Sequence, residues 1–304
     1  MSEQISKPLV TEPSVDKTVS WGDFLELTKP RVVALMILTS VIGMLLATPG
    51  LPGWEVVVYG NLGIALLAGA AAVVNHVVDH KIDTVMARTR KRPVATGRVT
   101  SVDALLFATI LGLTGMLVLF WQVNALTAWL TFASLVGYAG VYTLFLKRAT
   151  PQNIVIGGIA GAMPPLLGWT AVTGQVDGHA LLLVLIIFAW TPPHFWALAI
   201  HRKEEYAKAG IPMLPVTHGN RYTELHILLY TLMLLAVTLL PFATGMSGMI
   251  YLVGAMVLGL RFLQYAVRLL RGDDRRVALA TFKYSITYLM ALFVLLLVDH
   301  FVYF

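Results

Sequence analysis

The 304-residue sequence contains no cysteine, which excludes both a disulfide framework and a thiolate metal centre. Charge is also scarce: 12% of residues are Asp, Glu, Lys or Arg, about half the ~25% of soluble domains. Hydrocarbon takes its place, with 58% hydrophobic residues and a mean hydropathy of +0.77. Counting glycine and omitting tyrosine gives roughly 63%, against about 45–50% for soluble domains on the same set. An ordinary water-soluble fold is therefore excluded, and so is disorder, which needs low hydrophobicity. The chain reads as an integral membrane protein whose medium is the lipid bilayer. A net charge of +6, carried on one side of the membrane, gives no reason to expect nucleic acid as a partner.

A helix crossing the hydrocarbon core needs ~20 mostly apolar residues. Nine runs meet that criterion, at about 32–49, 56–78, 103–121, 124–146, 153–172, 179–200, 224–244, 247–270 and 280–301. They are continuous and about twice as long as barrel strands, which excludes a transmembrane β-barrel. The expected fold class is an all-α integral membrane protein, a nine-transmembrane-helix bundle. Residues 1–25 form an amino-terminal tail and 26–304 a single transmembrane domain. The first 22 residues are polar and lack a basic segment feeding an apolar core, so the tail is expected to be cytoplasmic and not a cleaved leader.

The loops alternate in charge. Lys29 and Arg31 precede span one, Lys81, Arg88, Arg90, Lys91, Arg92 and Arg98 follow span two, and Lys147 and Arg148 follow span four. Arg202, Lys203, Lys208 and Arg221 follow span six, and 268–283 is basic again. The intervening loops at 48–54, 122–123, around Asp177 and at 245–248 carry no Lys or Arg. Of the 22 basic residues only Arg261, within span eight, falls elsewhere. The positive-inside rule then places the amino terminus and the basic loops in the cytoplasm and the carboxyl terminus outside, as expected in a bacterial inner membrane.

Three features break the apolar pattern, two of them polar. At the cytoplasmic end of span two, Asn75, Asp79 and Asp83 are spaced by four, so on a helix each step drifts only ~40° and the three share one face. Such an oxygen-only stripe suits a hard cation such as Mg²⁺, which keeps open positions for phosphate oxygens. The cations of the following segment, Arg88, Arg90, Lys91 and Arg92, can clamp a diphosphate. The plain alternative, that Asp79 and Asp83 serve only as interfacial ion-pair partners, is less favoured once all three oxygens and the basic cluster are counted together. At the end of span six, Pro192-Pro193 is expected to open the backbone ahead of His194, amid Trp190, Phe195 and Trp196, and Glu204 and Glu205 supply further carboxylates. In span five, Gly157, Gly158, Ala160, Gly161 and Ala162 offer a small-residue packing face. Pro164-Pro165 must interrupt that helix, which is tolerated only against protein or a water-filled cavity.

The stripe Asn75, Asp79, Asp83 followed by Met86, Arg88, Thr89, Arg92 and Pro93 resembles the first aspartate-rich motif of the UbiA superfamily of intramembrane prenyltransferases. Thr28-Lys29-Pro30-Arg31, Tyr142-Thr143, Lys147-Arg148, Asn153, Pro164-Pro165, Pro193-His194-Phe195-Trp196 and Ile211-Pro212-Met213-Leu214-Pro215 resemble the haem-farnesylating branch of that superfamily. The resemblance implies transfer of a farnesyl group from farnesyl diphosphate to a vinyl group of haem b, with haem as substrate and not cofactor. It implies one or two Mg²⁺ on Asn75, Asp79, Asp83 and Glu205, with Asn75, Asp79 and Asp83 as the catalytic set. Arg88, Arg92, Lys147, Arg148 and Lys203 become diphosphate clamps, and His194, Trp196 and Tyr142 haem-binding residues. Trp169, Trp190 or Tyr142 would face an allylic cation. It further implies handover of product to a haem A synthase or a terminal oxidase. One position departs from the branch: Glu205, preceded by Glu204, stands where an aspartate is usual before Tyr206. Two alternatives stay open, an aromatic acid or quinone precursor as the acceptor and, more distantly, a secondary transporter, which also uses broken helices.

Overall fold

Long apolar runs with few helix breakers leave the backbone no partner but itself, and every described element is helical. A computed structural model describes residues 19–87, 89–272 and 275–303. Residues 1–18 of the expected tail and Arg88 lie outside the described residues. The chain order is α1 (Trp21–Leu27), α2 (Pro30–Leu46), α3 (Trp54–Val85), α4 (Ser101–Gln122), α5 (Ala125–Ala149), α6 (Asn153–Thr173), α7 (Gly178–His201), α8 (Lys203–Lys208), α9 (Leu214–Thr217), α10 (Gly219–Ala243), α11 (Met249–Arg271) and α12 (Arg275–Tyr303). Eight of these are long and apolar enough to cross a membrane, and α1 with α2, bent by 52°, makes a ninth, broken span.

Local chemistry sets several boundaries. Ser20 and Asp23 close a capping box on α1. Pro30 starts α2, where its missing N–H costs nothing, and Lys29 before it adopts a left-handed φ of 52°. The interruption of α6 falls at Met163, between Asn153–Ala162 and Pro164–Thr173, as the double proline requires. The second double proline behaves differently. α7 runs unbroken through Pro192 and Pro193, so the expected opening ahead of His194 does not occur. Two amide donors are missing there, but the fixed φ of proline is a helical one, and Ile186, Ile187, Thr191, Pro192 and Pro193 are all buried against neighbouring helices.

One core gathers Trp169, Phe262, Tyr288 and Phe293 between α2, α6, α7, α11 and α12. A second lies at the basic-loop end, where Met86, Trp196, Tyr206, Ile211, Met213 and Leu214 pack together. That cluster joins the segment just beyond α3 to the segment just beyond α7. An ion pair of Arg98 with Asp23 and the bond from Arg98 Nη2 to the Lys91 carbonyl (2.8 Å) tie the loop after α3 to α1.

Candidate active site

The 32 residues of α3 span about 48 Å, against ~30 Å of hydrocarbon, so the last three turns reach the membrane boundary. Asn75, Asp79 and Asp83 all lie on that stretch and are all buried, at 4%, 1% and 3% exposure. Burying two carboxylates costs several kcal/mol per ion unless each is compensated. The compensation comes from cations. Lys147 Nζ lies 2.5 Å from Asp79 Oδ2, and Arg92 Nη1 lies 2.7 Å from Asp83 Oδ2. The Asn75 amide orders the stripe: Oδ1 accepts from Lys29 Nζ at 2.5 Å, and Nδ2 donates to Asp79 Oδ2 at 2.8 Å and to Thr143 Oγ1 at 3.3 Å. Asp79 Oδ1 is buried and has no hydrogen-bond partner among the described residues.

The facing helix is built to match. In α5 the segment Val136–Leu146 is π-helical, and Thr143 Oγ1 donates to the Tyr138 carbonyl five residues back at 2.8 Å. Thr143 meets Asn75 and Lys147 meets Asp79, a spacing of four on both helices. Tyr138 and Tyr142 stack at 5.7 Å, and Tyr142 lies within electrostatic reach of Asp79 and Tyr206. Tyr142 also explains Gly157: a Cβ there would lie 2.1 Å from the tyrosine ring. The adjacent Gly158 admits Thr191 of α7 in the same way, so α6 brings the tyrosine pair and the His194 helix together.

His194 is held on α7 by other means. Its ring stacks on Trp190 at 4.2 Å and lies 4.6 Å from Phe282 of α12, while Nδ1 is 2.7 Å from Ser285 Oγ.

The UbiA prenyltransferase family model matches residues 36–297. The chain belongs to the UbiA prenyltransferase family. A protoheme IX farnesyltransferase of Marinobacter nauticus is 86% identical over 294 residues, 97% of each chain. Proteins of the same name from Hahella chejuensis and Saccharophagus degradans are each 68% identical, over 95% and 92% of this chain and 97% and 93% of theirs. Solved structures share the fold at low identity. A digeranylgeranylglyceryl phosphate synthase superposes with a TM-score of 0.79 at 17% identity, covering 92% of this chain and 98% of that one. A UbiA homologue of Archaeoglobus fulgidus bound to GPP and Mg²⁺ reaches 0.61 at 16% identity, over 90% and 99%. Membership in this family decides for an all-helical, multi-pass prenyltransferase and against a transporter.

The other residues expected at the site of this UbiA protein make contacts of their own. Arg148 caps a backbone carbonyl, with Nη2 3.2 Å from Val78 O. Lys203 and Glu205 sit on α8; Glu205 Oε2 is buried without a hydrogen bond and 3.7 Å from Arg202 Nη1. Trp196 is fully buried among Ile200, Tyr206 and Ile227, edge-on to Tyr230 at 5.3 Å, so it packs the second core. Trp169 contacts His179, in the first turn of α7 and so far from His194 along that helix. Three site residues had not been singled out for a role, Lys29, Tyr138 and Thr143. The signal for Lys29 was its position immediately before Pro30 at the mouth of span one.

Proposed function

We propose that this UbiA-family enzyme transfers the farnesyl group of farnesyl diphosphate to a vinyl group of haem b, releasing pyrophosphate and giving haem O. The 86%-identical relative, matched along almost the full length of both chains, supports haem as the acceptor. The chemistry rests on one observation, the buried Asp79 carboxylate whose Oδ1 is left without a partner beside three cations.

That orphaned oxygen, with Asp83 and Asn75 on the same stripe, fits a divalent cation, and a homologue was solved with Mg²⁺. Mg²⁺ held there would offset the charge of the leaving diphosphate. Asn75 Oδ1 is engaged by Lys29 and Asp83 Oδ2 by Arg92, so the open coordinating capacity lies on the Oδ1 atoms of Asp79 and Asp83. Glu205 Oε2, on the segment just beyond α7, is another buried carboxylate oxygen free of hydrogen bonds and supports a second cation.

Lys147 and Arg92, with the Lys29 amine beside them, supply positive charge and hydrogen-bond donors where the allylic C–O bond breaks and its electron pair leaves on pyrophosphate. The stacked Tyr138–Tyr142 pair beside Asp79 presents aromatic faces to the resulting allylic cation. The vinyl π electrons of haem form the new C–C bond. Water then adds to the porphyrin-stabilised cation, loses a proton and leaves a hydroxyethylfarnesyl group. The helix walls must keep water out until the C–C bond has formed. The mouth lies on the side of the basic loops, which we assign to the cytoplasm, with the carboxyl terminus outside.

Purified enzyme stripped with EDTA is expected to lose at least about a hundredfold of its pyrophosphate release, restored by Mg²⁺, since metal stabilisation of the leaving group is worth several kcal/mol. Membranes given farnesyl diphosphate with haem b or with 4-hydroxybenzoate separate the acceptors. Farnesylated haem by mass spectrometry is the expected product, and modification of the aromatic acid alone overturns the proposal.

Lys29→Gly keeps the left-handed backbone, which glycine adopts freely, while deleting the ammonium. A charge-assisted hydrogen bond is worth about 1.5–3 kcal/mol, so the KM for farnesyl diphosphate should rise about tenfold or more, with a lowered melting temperature because the buried Asn75 Oδ1 loses its donor. An unchanged KM would reduce Lys29 to a bend residue.

A further inference from the structure

Ser285 of α12 has no place in the chemistry above, yet it is fully buried and makes three connected bonds. Its hydroxyl donates to the Phe282 carbonyl at 2.6 Å, its own carbonyl accepts from Trp190 Nε1 at 2.8 Å, and its Oγ lies 2.7 Å from His194 Nδ1. A hydroxyl has one proton. Since a carbonyl can only accept, that proton is committed to Phe282, and Oγ meets His194 as an acceptor. Nδ1 therefore carries the hydrogen, and in the neutral ring Nε2 carries the lone pair.

The rest of the cluster fixes the ring around that lone pair. Trp190 covers the imidazole at an interplanar angle of 20° and Phe282 lies against it at 30°. A lone pair on Nε2 lies in the plane of the ring, so the packing of Trp190 and Phe282 against its faces does not cover it, while Phe195 stands perpendicular to the ring at 5.3 Å. Nε2 has no hydrogen bond among the described residues and is not one of the buried unpartnered atoms. A histidine held at one nitrogen by a hydrogen bond, with its other nitrogen bare, is how proteins prepare a metal ligand.

We propose that Ser285 is a positioning residue that fixes the His194 tautomer and presents Nε2 as an axial ligand to the iron of the haem substrate. The enzyme then selects an iron porphyrin over a metal-free one, and binds it edge-on to the Trp190–His194–Phe282 stack. This rests on the haem reading of the function and adds its means of recognition.

The test uses full-length enzyme in detergent, titrated with ferric haem b and with metal-free protoporphyrin IX, followed by optical absorption and electron paramagnetic resonance. The unaltered enzyme should show an imidazole-ligated haem, and His194→Ala should lose that signature. Outer-shell partners of a ligating histidine typically contribute 10–100-fold in affinity, so Ser285→Ala should weaken haem binding by about that factor with a changed ligand-field spectrum. Ser285→Thr keeps the hydroxyl and should restore both to within about threefold. Protoporphyrin IX should bind all four proteins alike, and farnesyl diphosphate binding serves as the check on folding. Equal weakening of haem and protoporphyrin in Ser285→Ala would make the serine a packing residue, and unaltered enzyme without imidazole ligation would overturn the proposal outright. Failure of the unaltered enzyme to farnesylate haem b would be a separate result, against the functional reading alone.

Discussion

Asp79→Asn is expected to lower kcat/KM for farnesyl transfer by at least about a thousandfold, roughly 4 kcal/mol of transition-state stabilisation. The substitution keeps size and one oxygen but removes the charge from the most deeply buried member of the stripe, at 1% exposure. Two roles compete for this residue. As a structural ion-pair partner, it neutralises Lys147 at 2.5 Å; as a catalytic ligand, it uses the Oδ1 that nothing else occupies. Removing one partner of a buried pair costs about 3–5 kcal/mol, because the other charge is left uncompensated. Stability will therefore fall in Asp79→Asn under either reading, and lost activity alone does not decide between them. The double variant Asp79→Asn with Lys147→Met does, when its turnover is read against Lys147→Met alone, because Lys147 itself supplies charge to the leaving group. Deleting the stranded ammonium should recover most of the melting temperature, whereas turnover should stay absent. Recovery of turnover together with stability would make Asp79 a structural residue. Asp83→Asn, judged against Arg92 in the same way, should behave alike, since Arg92 Nη1 sits 2.7 Å from its Oδ2.

The sequence made the local half of this site plain. Spacing by four put Asn75, Asp79 and Asp83 on one face, and the length of the apolar run put them at a membrane boundary, because both follow from the period of a single helix. The partners were less visible. Lys147 was expected as a phosphate clamp and serves Asp79 directly; Lys29 was counted among the topology-setting charges and holds Asn75. Those contacts join residues 68 and 46 positions apart, and no period within one segment reports them. The π-helical turn of α5 escaped notice for a related reason: Val136–Leu146 contains nothing that distinguishes it from α-helix, and Thr143 reveals the wider turn only through its bond to Tyr138. Trp196 misled because aromatic company near a histidine resembles a porphyrin pocket, while its actual neighbours come from α10 and the segment 206–214. Glycine is another case. The small residues of 157–162 suggested one packing face, and Gly157 and Gly158 do admit Tyr142 and Thr191, but Gly161 has nothing within 4 Å of an added Cβ, and the tightest approaches onto a neighbouring backbone lie at Gly43 and Gly168.

Gly168→Ala should accordingly be the most damaging single methyl group in the helix bundle. A Cβ on Gly168 would lie 2.0 Å from the Ser40 carbonyl oxygen, and one on Gly43 would lie 2.1 Å from the Pro165 carbonyl oxygen. The two contacts are reciprocal: Ser40 and Gly43 are three residues apart on α2, as are Pro165 and Gly168 on α6, so each helix sets a glycine on the other's backbone. Contacts of this kind let helices associate in lipid, where no hydrophobic force drives them together. Overpacking ordinarily costs about 1–3 kcal/mol and more when the neighbour cannot yield. Both neighbours here are backbone, so a cost of about 3 kcal/mol and a melting temperature lower by roughly 6–12 °C are expected, measured by scanning fluorimetry in detergent. Gly60→Ala is the matched control, because its Cβ would meet the flexible end of Met44. Gly161→Ala should be neutral or stabilising by up to about 1 kcal/mol, from the entropy removed from the unfolded chain. Equal melting temperatures for Gly168→Ala and Gly161→Ala would mean that α2 and α6 stand further apart. Activity should fall with Gly168→Ala even at temperatures where the protein stays folded. Pushing α2 off α6 pivots the helix that begins at Pro30, and Lys29 at its end has only to move by the length of one hydrogen bond to leave Asn75.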